Sequence, residues 1–193
     1  YLAQVRGNKY ADEIRQIITE LEAMPDKIQR VLDNEGQVKQ LGQDMADAKS
    51  VLFLGRHVGF PVALEGALKL KEVAYLHSEG FAAGELKHGP IALIDEHMPV
   101  VVIAPYDKVF EKTVSNMQEV AARGGKIILM TDAKGAAEAT IQSLVTIVMP
   151  DMGATFAPMV YAVPVQLLAY HTAVVMGTDV DQPRNLAKSV TVE

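Results

Sequence analysis

The sequence predicts an α/β protein in which a doubly wound parallel sheet follows an N-terminal helical segment. Over residues 1–48, apolar positions recur at helical spacing. From residue 51 onward, short apolar runs alternate with longer segments of helical periodicity, which is the pattern of repeated strand–helix units. The apolar runs are continuous, as in strands that helices cover on both faces.

The N-terminal segment contains three predicted helices. Residues 8–23 have apolar side chains on one helical face. Pro25 is well placed to open the second helix at 26–34, and the third covers 37–48. Tyr1 has no helix-start signal before it, so we expect the chain to begin inside a helix of a longer protein.

The sheet region opens with "VLFLG" at 51–55, a short apolar run ending in glycine that predicts a buried strand. A long helix at 61–76 follows this strand. Residues 77–81 then fit a further short strand, and residues 84–93 a turn with a short helix.

The second half of the sheet region repeats this pattern. Its main helix, at 108–122, ends before Gly124 and Gly125, which is a strong signal for a helix C-terminus. The other predicted elements are strands at 100–105, 126–132 and 144–150 and a weaker helix at 134–141.

The apolar segment at 154–177 is long enough to cross a membrane. It contains Gln166 and His171, it is flanked by Asp151 and Asp179, and no lysine or arginine lies close to either end. We therefore interpret it as a buried helix of a soluble domain, and we expect no membrane partner.

The elements divide the chain into three parts. These are a helical linker at 1–48, the sheet domain at 49–176 and a C-terminal tail at 177–193. The 193 residues, 49% of them hydrophobic, suit one globular domain with a helical extension.

Composition excludes several classes of function. The chain has no cysteine, which removes thiolate zinc sites, iron–sulfur clusters and cysteine nucleophiles and is compatible with a cytoplasmic protein. Its net charge of −6 and scattered basic residues argue against nucleic-acid binding. No histidine pair has metal-ligand spacing and no glycine-rich nucleotide motif is present, so we expect neither a metal nor another cofactor.

Glu65, Lys69 and Glu72 share one face of the helix at 61–76. Such a stripe is often a set of ion pairs facing water. Because the helix follows a strand that ends in glycine, near the expected ligand edge of the sheet, a carboxylate acting as a base is the alternative.

His88 and the C-terminal tail offer further acid–base groups. His88 lies in "GELKHGP" between two glycines, where a solvated loop histidine is the common outcome. Arg184 and Lys188 are four residues apart in a tail whose composition is also that of a frayed terminus. A pair of cations near a carboxylate suits an anionic substrate, and a desolvated lysine suits imine formation with a carbonyl.

Three stretches together resemble one family. They are "LGRHVGFPVALEGALKLKE" at 54–72, "AAGELKHGPIALI" at 82–94 and "DQPRNLAKSVTVE" at 181–193. The chain is similar over nearly its whole length to the C-terminal part of the glucosamine-6-phosphate synthases, which are glutamine–fructose-6-phosphate aminotransferases (isomerizing).

The resemblance implies a sugar-isomerase (SIS) fold with a five-stranded parallel sheet flanked by helices. It also implies a parent chain with a glutaminase domain and two tandem SIS domains, of which this chain is the second. Such an enzyme converts fructose 6-phosphate and glutamine to glucosamine 6-phosphate and glutamate without a metal or redox cofactor.

The resemblance also implies a role for each matching residue. Lys188 resembles the lysine that forms an imine with open-chain fructose 6-phosphate, and Glu72 the base that moves a proton between C1 and C2. His88 resembles the ring-opening residue, which reaches the site from the other subunit of a homodimer. The implied supporting residues are Lys69, Arg184 and Ala187.

Two departures indicate a fragment. The serines are scattered, whereas the family binds the sugar phosphate on a Ser/Thr-rich loop of its first SIS domain, and the family's cysteine nucleophile is absent. "GRHVGFP" at 55–61 differs from the family's usual "GRGxxYP", which leaves the packing of that loop open. A stand-alone phosphosugar-binding regulatory module and a dimerisation domain are the alternative functions.

Overall fold

The computed structural model describes residues 1–186. The N-terminal segment is helical, as predicted, with helices α1 (Leu2–Val5), α2 (Ala11–Glu22), α3 (Met24–Asp33) and α4 (Gly36–Met45). The first predicted helix is shorter than expected because the backbone N–H of Tyr10 donates to the Glu13 carboxylate, which caps α2 at that point.

Within the described residues, the sheet has five parallel strands in the order β2-β1-β3-β4-β5. Their bounds are β1 (Ser50–Gly55), β2 (His77–Ala82), β3 (Pro99–Ile103), β4 (Lys126–Asp132) and β5 (Val145–Met149). This order confirms the predicted doubly wound α/β fold. The topological switch point, where the order of the strands reverses, lies between β1 and β3.

The helices that cover the sheet follow its strands. They are α5 (Gly59–Ala74), α6 (Phe110–Ala121), α7 (Ala133–Glu138) and α8 (Ala157–Met176), with 3₁₀ helices at Ala83–His88 and Pro90–Leu93. The predicted elements are all present, with ends that shift by a few residues.

The sheet separates two clusters of buried apolar side chains. Val51 and Phe53 of β1 point into the cluster that α4, α5 and α8 complete. Leu52 and Leu54 point the other way, into the cluster made with α6 and the first 3₁₀ helix. Because side chains alternate along a strand, one continuous apolar run supplies both sides.

Helix α8 is the only helix within residues 1–186 that is long and apolar enough to cross a membrane. Half of its most apolar stretch is buried inside the protein. Tyr161, Val165 and Leu168 are buried against the sheet and the neighbouring helices. These contacts support the interpretation of α8 as a core helix.

The turn from β1 into α5 requires glycine at position 59. A Cβ on Gly59 would lie 2.4 Å from the carbonyl oxygen of Ile103, which is backbone and cannot move aside. We expect Gly59→Ala to lower the free energy of unfolding of the 193-residue chain by about 1–3 kcal/mol. Urea denaturation measures this change. The matched control is Gly36→Ala, where nothing lies within 4 Å and a helical alanine is neutral or stabilising; equal effects of the two substitutions would refute the packing argument.

Candidate active site

Helix α5 carries an ion pair in its last two turns. Lys69 Nζ donates to Glu72 Oε2 at 2.7 Å, and both side chains are partly exposed, at 34% and 27%. This hydrogen bond raises the pKa of Lys69 above its ordinary value and so keeps the lysine protonated. A carboxylate held by one oxygen leaves its other oxygen available to accept a proton.

The pair lies at the amino edge of the sheet. Helix α5 begins directly after β1, at the carboxyl edge, and runs back antiparallel to the strands. Glu72 is 13 residues beyond Gly59, which is about 20 Å along a helix. The carboxyl-edge segments at 55–60, 105–108 and 132–135 therefore do not surround Glu72.

The described part of the tail is attached to the end of α5. Tyr75 follows the helix in the left-handed conformation, with φ of 57°, and its hydroxyl accepts the backbone N–H of Arg184 at 2.8 Å. The Arg184 guanidinium lies 4.2 Å from the centre of the Tyr75 ring. Thr178 Oγ1 donates to the Val73 carbonyl at 2.6 Å. Up to Leu186 the tail is therefore attached to the end of α5 by these contacts, although most of its residues are exposed and none is helical.

Two predicted site residues, Ala187 and Lys188, lie outside the described residues. Arg184, the third site residue of the tail, contacts Tyr75, the residue that follows Glu72 by three positions. The structure thus brings Glu72, Lys69 and Arg184 to one end of α5.

His88 lies elsewhere. It ends the 3₁₀ helix Ala83–His88, its side chain is 73% exposed, and its Nδ1 is 3.6 Å from Glu85. Buried Leu86 and an ion pair of 2.8 Å between Lys87 and Glu119 fix this segment. Partial burial raises the pKa of Glu119, but hydrogen bonds from Lys87 and Asn116 bring the pKa below its ordinary value.

Glu72 and His88 of one chain are on opposite sides of the sheet. Helix α5 packs in the cluster with Val51 and Phe53, whereas Leu86, two residues before His88, packs in the cluster with Leu52 and Leu54. The two side chains therefore belong to segments that pack against opposite faces of the sheet.

At the carboxyl edge of the sheet, side-chain contacts join the turn after β1 to the loop after β3 and to α6. His57 has φ of 50°, a conformation that favours the glycine usual at this position, and its Nδ1 is 2.9 Å from Asp107 Oδ2. Arg56 donates twice to Asn116 Oδ1, at 3.1 and 2.9 Å. In "GRHVGFP" the histidine at position 57 therefore takes a left-handed conformation and contacts Asp107.

Reasoning from the residues missed the contribution of Tyr75 and Thr178. A tyrosine at a helix end usually signals core packing, and a threonine after Gly177 looks like part of an irregular terminus. The contacts of both residues depend on segments more than 100 positions apart in the chain. Sequence spacing carries no signal for such contacts.

The fold is a doubly wound α/β domain, and a lysine–glutamate ion pair lies at the end of α5 near the attached part of the tail. Residues 44–176 match the family model of the SIS domain, and the chain belongs to the SIS domain family.

Curated relatives align with nearly the whole of this chain. The chain is 70% identical over 190 residues to a glutamine–fructose-6-phosphate aminotransferase (isomerizing) of Bradyrhizobium diazoefficiens and 61% identical over 191 residues to one of Agrobacterium fabrum. The alignments cover 98% of this chain in both cases but 31% of each relative, so the chain spans about a third of their length.

Solved structures agree with the fold. The C-terminal domain of glucosamine-fructose-6-phosphate aminotransferase from Francisella tularensis superposes with a TM-score of 0.90 at 39% identity, over 93% of this chain and 50% of that one. Tagatose-6-phosphate ketose/aldose isomerase from Escherichia coli has a TM-score of 0.66 at 20% identity, over 79% of this chain and 42% of that chain, and this similarity supports the fold alone.

Proposed function

We propose that this chain is the C-terminal isomerase domain of a cytoplasmic glutamine–fructose-6-phosphate aminotransferase and supplies the base of its isomerisation step. The observation that carries the proposal is the Lys69–Glu72 pair at the end of α5, where the tail is attached. The identity of 70% to an isomerizing aminotransferase supports the same reaction.

In this proposal each residue does chemistry that suits its type. The Lys188 amine attacks the C2 carbonyl of open-chain fructose 6-phosphate and forms an imine with loss of water. Ammonia freed from glutamine then displaces the lysine amine and leaves a C2 imine, which makes the proton on C1 easier to remove. Glu72 takes the C1 proton and returns it to C2, and Lys69 holds the carboxylate in place. His88 assists opening of the sugar ring.

Chain geometry is consistent with this pairing of Glu72 and Lys188. Lys188 is four residues after Arg184, and four residues span at most about 14 Å. Glu72 is three positions before Tyr75, which is about 4.5 Å along the helix. The contact between Tyr75 and Arg184 therefore anchors the chain close enough to Glu72 for residue 188 to reach it.

The placement of His88 supports a homodimer. The segments that carry Glu72 and His88 pack on opposite faces of the sheet, and this separation favours a site in which a second copy supplies His88. The side chain of His88 is 73% exposed at the end of a rigid turn, as a residue that reaches into a neighbour requires.

An apolar surface beside Glu72 supports a further partner, the first SIS domain of the parent chain. The outer faces of α5 and α8 are joined by a hydrogen bond of 3.0 Å from Gln166 to Glu65. Around this bond, large apolar side chains are exposed: Leu64, Leu68, Met159, Tyr170 and Val174. The solved Francisella chain is twice as long as the aligned segment, which leaves a second unit of similar size to cover such a surface.

The test compares the 193-residue chain with its full-length parent enzyme. We expect the parent to form glucosamine 6-phosphate from fructose 6-phosphate and glutamine. We expect the isolated chain to form none and to bind fructose 6-phosphate weakly, because the first SIS domain completes the site. Turnover by the isolated chain would contradict the fragment assignment. A parent that binds the sugar phosphate without converting it would favour the regulatory module, and one that does not bind it would favour the dimerisation domain.

A further inference from the structure

We infer that Tyr75 is a positioning residue that attaches the tail segment 178–184 to the end of α5 and thereby promotes imine formation by Lys188. This inference rests on the proposed function, in which Lys188 forms the imine.

Tyr75 makes two separate contacts with one residue of the tail. Its hydroxyl accepts the Arg184 backbone N–H at 2.8 Å, and its ring lies under the Arg184 guanidinium, whose central carbon is 4.2 Å from the ring centre. The first contact fixes the main chain and the second fixes the side chain. Together they leave Arg184 little freedom to rotate or slide along the helix end.

A second attachment precedes this one. The Thr178 hydroxyl donates to the carbonyl of Val73, in the last turn of α5. Asp179 then accepts the backbone N–H groups of Asp181 and Gln182, which forms a turn between the two attachments. The chain from Thr178 to Arg184 is thus held at both ends and turned in the middle.

The backbone of Tyr75 indicates that the side chain is needed there. Tyr75 ends α5 in the left-handed region, with φ of 57°, where glycine is the favoured residue. The other long helix of the sheet domain, α8, uses Gly177 at the same position, with φ of 72°. Helix α5 accepts an unfavourable backbone conformation, and only tyrosine supplies both the ring and the hydroxyl that contact Arg184.

The experiment uses the full-length parent enzyme with fructose 6-phosphate and sodium borohydride. Borohydride reduces the imine to a stable secondary amine, which mass spectrometry locates on Lys188. We expect Tyr75→Phe, which keeps the ring and loses the hydroxyl, to slow trapping and lower kcat about 5-fold with little change in KM. Tyr75→Leu, which loses both contacts, is expected to lower trapping and kcat about 20-fold or more.

The controls separate positioning from folding and from failure of the proposed function. Tyr10→Phe changes an exposed tyrosine at the start of α2 and should leave trapping unchanged. The thermal midpoint of Tyr75→Phe should stay within a few degrees of the unmodified enzyme, because one exposed hydrogen bond is lost. If the unmodified enzyme traps nothing on Lys188, the proposed function fails. If it traps normally and Tyr75→Phe traps equally fast, the positioning role of Tyr75 is wrong, whether or not Tyr75→Leu folds.

Discussion

Glu72→Gln in the full-length parent enzyme is expected to lower kcat for glucosamine 6-phosphate formation by about a thousandfold. Glutamine has the shape of glutamate and still accepts the hydrogen bond that Lys69 donates at 2.7 Å, so the end of α5 keeps its structure. It cannot accept and return a proton, and a positioned general base contributes about 10²–10⁴ in rate.

Steady-state kinetics with fructose 6-phosphate and glutamine measure this loss, together with a thermal midpoint that should not change. Glu111→Gln is the matched control, since Glu111 is an exposed residue of α6 on the other side of the sheet. Glu72→Gln activity within tenfold of the unmodified enzyme would mean that another group moves the proton.

Mixing two inactive variants is expected to restore activity. The variants are His88→Asn and Glu72→Gln, each made in the full-length enzyme. In a mixed dimer with His88 acting across the interface, one active site carries both changes and the other carries neither. Half of the dimers are mixed when equal amounts exchange subunits at random, so about a quarter of the unmodified activity should return.

The physical reason is the position of the two side chains. Glu72 lies on the α5 side of the sheet and His88 follows a segment packed on the α6 side. Native mass spectrometry, with one variant isotopically labelled, shows whether mixed dimers form. Mixed dimers without activity above the sum of the separate variants would contradict the proposed role of His88 across the dimer interface.

The fold class was predictable because the apolar runs in the sequence match the strands that the fold buries on both faces. Runs such as "VLFLG" at 51–55 are continuous and apolar, and β1 is indeed buried on both faces. The ion pair between Lys69 and Glu72 was also predictable in part, because a helix places residues three apart on one face. Residue spacing did not decide whether this face of the helix only carries ion pairs in water or also supplies a base.

The strand order was not readable from the residues alone. The polar, partly exposed β2, "HSEGFA", fits the edge of a sheet and the buried β3, "PVVVI", fits its centre, but neither pattern tells which strands are neighbours. Order depends on how the crossover helices pack, which is decided by contacts between distant segments.

By itself, the sequence determined the element types, the buried strands and the residues able to do acid–base chemistry, because these follow from periodicity and side-chain type. Only the tertiary structure decided that Glu72 lies at the amino edge of the sheet, that His88 lies on the opposite side, and that Tyr75 holds Arg184. Each of these depends on residues brought together by folding, such as the hydrogen bond between Tyr75 and Arg184, which are 109 positions apart.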